Sequence, residues 1–338
     1  MDAEGNIVGQ PQARSVKGFE ETLAAIGTLD DLNKRIEAGE EGLDADLLLA
    51  EHTLGKVKGD AFKTRAEALE KTTDAQKKRI GEILVDEEII AAVMGGRRGP
   101  LDPLAEKLMG MLEAGKTPTG KQAKSALWST LGRVAMQKRD PELAQKAADG
   151  MADAYKGEKA AASYVKGFHE RATKLGNWKT LSDKVEGGDE SCKADLALAE
   201  LDLGFLRGQA FTDKAKELMA TANDEQKAKL EAGLLDVEFQ GHAMSGLRGM
   251  RDPSKLEEAA NALVEMLDAG KAPKGRTAQS VYRVLAIYGS NAKNADMLER
   301  AATGWEGLDD KRSKANAKMA REEAAKIKAA AAEEPTDG

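Results

Sequence analysis

Aromatic side chains are scarce in this 338-residue chain: six Phe, four Tyr and three Trp make up 4% of it. Folds whose thick cores are filled by large rings, such as sandwiches and barrels, are disfavoured, whereas helices packed through Ala, Leu and Met suit the composition. A single cysteine, Cys192, excludes an internal disulfide framework and a CxxC redox pair. No apolar run approaches the roughly 18 residues of a membrane-spanning helix, and none follows Met1, whose neighbours include Asp2 and Glu4. Neither sign of charge dominates: 51 basic against 58 acidic residues give a net −7, which argues against non-specific attraction to nucleic acid or anionic lipid. What the chain does have is length and 41% hydrophobic residues, enough for about two domains or one extended array. The expectation is a soluble protein with no membrane insertion and no nucleic-acid partner, cytoplasmic by default.

An internal duplication organises the sequence. Val16-Lys17-Gly18-Phe19 is echoed by Val165-Lys166-Gly167-Phe168, and Leu49-Ala50-Glu51 by Leu198-Ala199-Glu200 at the same offset of 149. Gly59-Asp60-Ala61-Phe62 likewise matches Gly208-Gln209-Ala210-Phe211. After small insertions, Met94-Gly95-Gly96-Arg97-Arg98-Gly99 faces Met244-Ser245-Gly246-Leu247-Arg248-Gly249, and Met111 to Lys116 faces Met266 to Lys271. Two halves follow, 16–164 and 165–308, preceded by residues 1–15 and followed by a helix over 309–332 and a disordered tail, 333–338. The recurrence of Phe19/Phe168 and Phe62/Phe211 predicts that each pair fills the same packing position in both halves.

Within each half the periodicity is helical. Leu104, Leu108, Met111 and Leu112 share one face, as do Leu256, Ala260, Leu263 and Leu267. Asp102-Pro103, Asp140-Pro141 and Asp252-Pro253 mark helix starts, Asp as cap and Pro at the first helical position. Thr73-Asp74 and Asn223-Asp224 mark further starts, for helices running to about Met94 and Met244, and Gly55, Gly115 and Gly270 mark stops. Short amphipathic helices with brief connections form antiparallel hairpins that are stable only when stacked. The fold class is therefore all-α, a duplicated array of helical hairpins forming an α-solenoid with a concave face, against a generic helical bundle. Segments 47–71 and 196–220, each with a Leu-Gly in its first helix and an Ala-Phe opening its second, resemble tetratricopeptide hairpins, although the large aromatics usual in that pattern's first helix are missing.

The two ends differ from the repeats. Asp2-Ala3-Glu4-Gly5-Asn6-Ile7-Val8-Gly9 reads as a turn leading into a β-branched pair, a short hairpin remnant, followed by Val16-Lys17-Gly18-Phe19 and a helical run from Glu20 to Ile26. Residues 2–26 resemble the closing hairpin and C-terminal helix of thioredoxin-like proteins of the disulfide-reductase kind. The CxxC segment of that family is absent, so none of its catalytic residues carries over. The resemblance implies the helical extension of a thioredoxin-like protein from a truncated reading frame, which would place the chain outside the cytoplasm. At the other end, an Ala/Lys-rich stretch from Asp310 to Ala332 predicts a solvated helix docking one thin stripe such as Met319 and Ile327.

Several motifs imitate known chemistry. Gly115 to Lys121 has the GxxxxGK frame of a phosphate loop, but Gln122 stands where a hydroxyl should reach Mg²⁺, and a helix rather than a strand precedes it. His169-Glu170-Arg171-Ala172-Thr173 begins like HExxH, with Thr173 in place of the second ligand, and His52 and His242 have no partner nearby in sequence. Cys192 opens a helix that could lower its pKa, yet lacks a neighbouring His to act as base. No catalytic residue, metal or cofactor is assigned. The candidate site is the twice-used glycine and arginine loop carrying Arg97, Arg98, Arg248 and Arg251, whose forks match carboxylate or phosphate oxygens. Against it stands simple pairing of these arginines with acidic neighbours. The sequence thus reads as a non-enzymatic helical-repeat scaffold for a protein or peptide partner. Alternatives are the accessory extension of a thioredoxin-like thiol-disulfide oxidoreductase, or an anion-sensing domain.

Overall fold

The computed structural model describes residues 16–96 and 99–333. Among them are fifteen α-helices and two single-turn 3-10 segments, with no strand. The all-α expectation holds at that level, while the hairpin of residues 1–15 and the tail after residue 333 lie outside the described residues. The chain divides into two units, 1–176 and 177–338. The first contains α1 (Val16–Glu37), α2 (Asp44–Thr53), α3 (Gly59–Glu67), α4 (Asp74–Gly96), α5 (Leu101–Glu113), α6 (Lys121–Lys138) and α7 (Pro141–Ala154). Helix α8 (Ala162–Glu186) runs through the division. The second unit continues with α9 (Lys193–Leu203), α10 (Gly208–Met219), α11 (Asp224–Arg248), α12 (Pro253–Asp268), α13 (Gly275–Asn291), α14 (Ala295–Glu306) and α15 (Lys311–Glu333).

Local chemistry explains most of the boundaries. Asn223 and Gln226 exchange hydrogen bonds to open α11, and Thr73 and Gln76 do the same at α4, so each start satisfies two orphan N–H groups. Asp140 accepts from Leu143 N at 2.9 Å to cap α7, and Asn294 accepts from Met297 N at 3.2 Å to cap α14. The residue before each cap is left-handed: Arg139 (φ 56°) and Lys293 (φ 51°) are the two non-glycine positive-φ residues among those described. Asp102-Pro103 departs from the expectation, because α5 begins earlier, at Leu101, after an extended Pro100. Pro103 is tolerated there since the N–H groups of a first turn have no intrahelical acceptor. Leu54-Gly55 and Leu203-Gly204 end the first helix of their hairpins rather than lying inside it, the glycines adopting φ 75° and 74°.

Tertiary contacts recur at corresponding positions of the two units. Gln76 donates to Asp46 (2.7 Å) and Gln226 to Asp195 (3.3 Å), while Lys116 pairs with Glu88 and Lys271 with Glu238. Asp86 accepts from the backbone of Thr119 and Gly120 at the head of α6, and Asp236 accepts from the Thr277 hydroxyl at the head of α13. Trp128 lies against Gly150 and Tyr282 against Gly304. Phe62 and Phe211 are both fully buried. The other aromatic pair breaks the expectation: Phe168 is half-buried whereas Phe19 is 59% exposed.

Of the two residues the sequence suggests for the docked stripe of α15, Ile327 packs and Met319 does not. Met319 is exposed, while Ala317, Ala320 and Ala324 are buried with Ile327 packed beside them. These positions share a face at i, i+3, i+7 and i+10, and alanine lets the helix approach closely. Asp310 fastens its start, accepting from Ser313 N (2.9 Å), Ser313 Oγ (2.6 Å) and Gln279 Nε2 (3.1 Å). The Ser313 hydroxyl, then its backbone N–H, hold the Asp310 carboxyl below its ordinary range. A depressed folded-state pKa contributes stability that is present above the unfolded value and is lost as pH falls through the folded one. Acidification below about pH 4 should therefore loosen α15, and Asp310→Ala should remove that part of the pH dependence, as read by circular dichroism and thermal melts from pH 7 to 2.5.

Candidate functional site

Arg248 and Arg251 flank one concavity in the second unit, formed where α11 ends and α12 begins. The intended glycine loop is only partly a loop there, because α11 continues through Gly246 and Leu247 to Arg248. Gly246 serves close packing rather than backbone freedom. A Cβ at that position would lie 2.8 Å from Val284 Cγ1 and 3.1 Å from Ala259 Cβ, so the last turn of α11 is held tight against α12 and α13. The chain then turns sharply, with Gly249 N donating to Ser245 O (2.8 Å) and Asp252 N to Gly249 O (2.7 Å). Gly249 is buried, and a Cβ there would meet Lys255 Cβ at 2.8 Å. Through this turn Arg248, Arg251 and Lys255 are brought to the rim of one hollow.

The hollow has a volume of about 600 Å³ and is lined by Gly241, Met244, Ser245, Arg248, Gly249, Arg251, Asp252 and Lys255. Three cations face one carboxylate. Asp252 occupies the cap position of α12 but accepts from Ser254 Oγ at 2.7 Å, with Lys255 Nζ at 3.6 Å, and the Ser254 hydroxyl above all keeps its carboxyl below the ordinary range. Arg248 and Arg251 are exposed, and neither makes an ion pair or side-chain hydrogen bond among the described residues. Elsewhere Arg35 pairs with Glu40, Arg300 with Asp268, and Arg321 with Glu306 and Glu299. Pairing with acidic neighbours, which would make the arginines structural, is therefore not what these two side chains do. Met244 (40% exposed) lines the hollow and Met250 (42% exposed) follows Gly249 in the turn, adding adaptable apolar surface beside the guanidinium forks.

Arg97 and Arg98 lie outside the described residues. Lys255 and Met244 are site residues that inspection of the arginine loop alone missed. The available signal was spacing, since Met244 stands four residues before Arg248 on one helical face and Lys255 three residues after Asp252.

The remaining sequence candidates are placed apart from this hollow. Cys192 donates to Asp189 (3.4 Å), and partial burial, followed by that carboxylate, raises its pKa, contrary to an activated helix-start thiol. His52 Nε2 lies 3.0 Å from Glu87 Oε1, with its ring 4.8 Å from that of Phe62, which joins α2, α3 and α4. His169 Nδ1 lies 4.0 Å from Asp149. No group of three His, Cys, Asp or Glu side chains able to hold a metal occurs among the described residues, and no described helix is long and apolar enough to cross a membrane. Gly115 to Lys121 joins α5 to α6, with the Gly120 N–H held by Asp86 and the Lys121 ammonium by Glu158, so both groups of the phosphate-loop imitation already have partners. In comparisons with known proteins, no family model, no curated protein and no solved structure matches this chain.

Proposed function

We propose that this chain is a non-enzymatic helical-repeat scaffold that binds an acidic peptide segment of a protein partner in the Arg248, Arg251 and Lys255 hollow. The observation that carries the reading is the pair of exposed, unpaired guanidinium groups at the rim of a concavity beside exposed methionines. Forked donors fit carboxylates two at a time, and the neighbouring thioethers suit an apolar side chain between two acids. A repeat array, in which each hairpin packs mainly on the next, accounts for the corresponding Gln76/Gln226, Glu88/Glu238 and Trp128/Tyr282 contacts.

The binding test uses a fluorescein-labelled peptide of Asp, Glu and Leu and its Gln/Asn counterpart. The acidic peptide should bind and the neutral one should not. Arg248→Gln or Arg251→Gln should each weaken binding about tenfold, and affinity should fall with rising salt because the site is exposed. Unchanged affinity in the double variant sinks the proposal.

A further inference from the structure

A second surface, on α1, is set apart by what its duplicate does. Phe168 and Phe19 stand at matching positions of α8 and α1, and the stretch around Phe168 is seated on a helical hairpin. A Cβ on Gly132 of α6 would lie 3.1 Å from Phe168 Cε1 and 3.5 Å from Ala147 Cβ of α7, so the ring lies in a Gly/Ala seat. Tyr164 joins Phe168 edge-on at 5.3 Å and Tyr155, just after α7, at 5.7 Å, and Ala172 and Leu175 are buried. Helix α15 repeats the arrangement with small residues: Ala317, Ala320 and Ala324 are buried in one cluster with Leu298 and Trp305 of α14. Helix α1 keeps the apolar stripe, with no such seat among the described residues. Phe19 is 59% and Leu23, at the position of Ala172, 58% exposed, while the later Leu29 and Leu32 are buried against residues of α2.

We infer that the Phe19 and Leu23 face of α1 is a docking surface for an antiparallel helical hairpin that presents a glycine or alanine seat and a basic side chain. The seat follows from what covers the same stripe in α8 and α15. The basic group follows from charge: His169 faces Asp149 of α7, and the matching residue of α1 is Glu20, so a carboxylate at the position of Asp149 would repel it. The same argument sets a second copy of this chain aside, since its α6 and α7 carry Asp149 and are already covered by Phe168, while α14 is covered by α15. This surface is independent of the arginine hollow.

The test gives α1 such a hairpin in the full chain. Residues 1–12 are replaced by a second copy of residues 119–161 carrying Asp149→Lys, which puts Ala13 where Ala162 stands after the original hairpin. The reference is the chain lacking residues 1–12. Docking should slow amide exchange over residues 16–24 about tenfold or more, and Phe19→Asp with Leu23→Asp in the fused chain should return it to the reference rate. Those substitutions in the reference chain should leave its melting temperature unchanged, because both side chains are exposed there. Three results overturn the inference: unchanged exchange in a fused chain whose added segment is helical, faster exchange on removal of residues 1–12 alone, or a dimer of the unmodified chain that Phe19→Asp dissociates. The second assigns the cover to the chain's own first residues, and the third to another copy.

Discussion

Phe211→Ala should lower the unfolding free energy of the second unit by about 3–5 kcal/mol, and Phe62→Ala should do nearly the same to the first. Both rings are fully buried. Phe211 shares its cluster with Ala194, Ala197 and Ala215 and with Leu218 and Leu230, and a Cβ on Gly233 would come within 2.8 Å of Phe211 Cζ. The alanines and the Gly233 backbone cannot swing inward and the leucines relax only in part, so a cavity term persists on top of the lost transfer term. Phe62 packs likewise with Leu48, Ile80 and Ile83, so its loss falls in the same range. Urea titration followed by tryptophan emission separates the two, because Trp128 reports on the first unit and Trp178 and Trp305 on the second. A loss below about 1 kcal/mol for Phe211→Ala would contradict the packing described.

The second large effect concerns two glycines where most helical glycines would welcome alanine. A Cβ on Gly150 would lie 2.2 Å from Trp128 Cε2, and one on Gly304 2.1 Å from Tyr282 Cε1. Non-bonded carbons settle near 3.5–4.0 Å, so either substitution must expel the ring or separate the two helices. We expect Gly150→Ala and Gly304→Ala each to cost about 1–3 kcal/mol, with a red shift of Trp128 emission in the first case as the indole moves into water. Gly110, on α5, has nothing within 4 Å of its notional Cβ, and Gly110→Ala should stabilise by about 0.5–1 kcal/mol through helix propensity. Opposite signs for chemically identical substitutions are the measurement; equal effects at all three sites would refute the close ring contacts.

Helix content, the matching segments of the two halves and many helix ends were legible because they depend on neighbours in sequence. A cap such as Asn223 with Gln226, or a left-handed glycine such as Gly55, is set within one turn of chain. The site was legible in part. Arg248 and Arg251 could be named from the repeated loop, but Lys255 joins them only because Gly249 is packed against it, and Met244 only because α11 continues one turn further than its glycines suggested. The docked stripe of α15 is legible only in part: Ile327 packs as its spacing suggests, but Met319 is exposed and Ala317, Ala320 and Ala324 make the close contact.

By itself the sequence determined an all-α chain with internal similarity, little aromatic material and one thiol, since composition, periodicity and capping act over a few residues. Tertiary structure alone decided which of two equivalent phenylalanines is covered, why the lone thiol is raised rather than activated, and that Arg248 and Arg251 find no acidic partner among the described residues. Those outcomes depend on what a distant helix places within a few ångströms, and residue spacing along the chain carries no record of that distance.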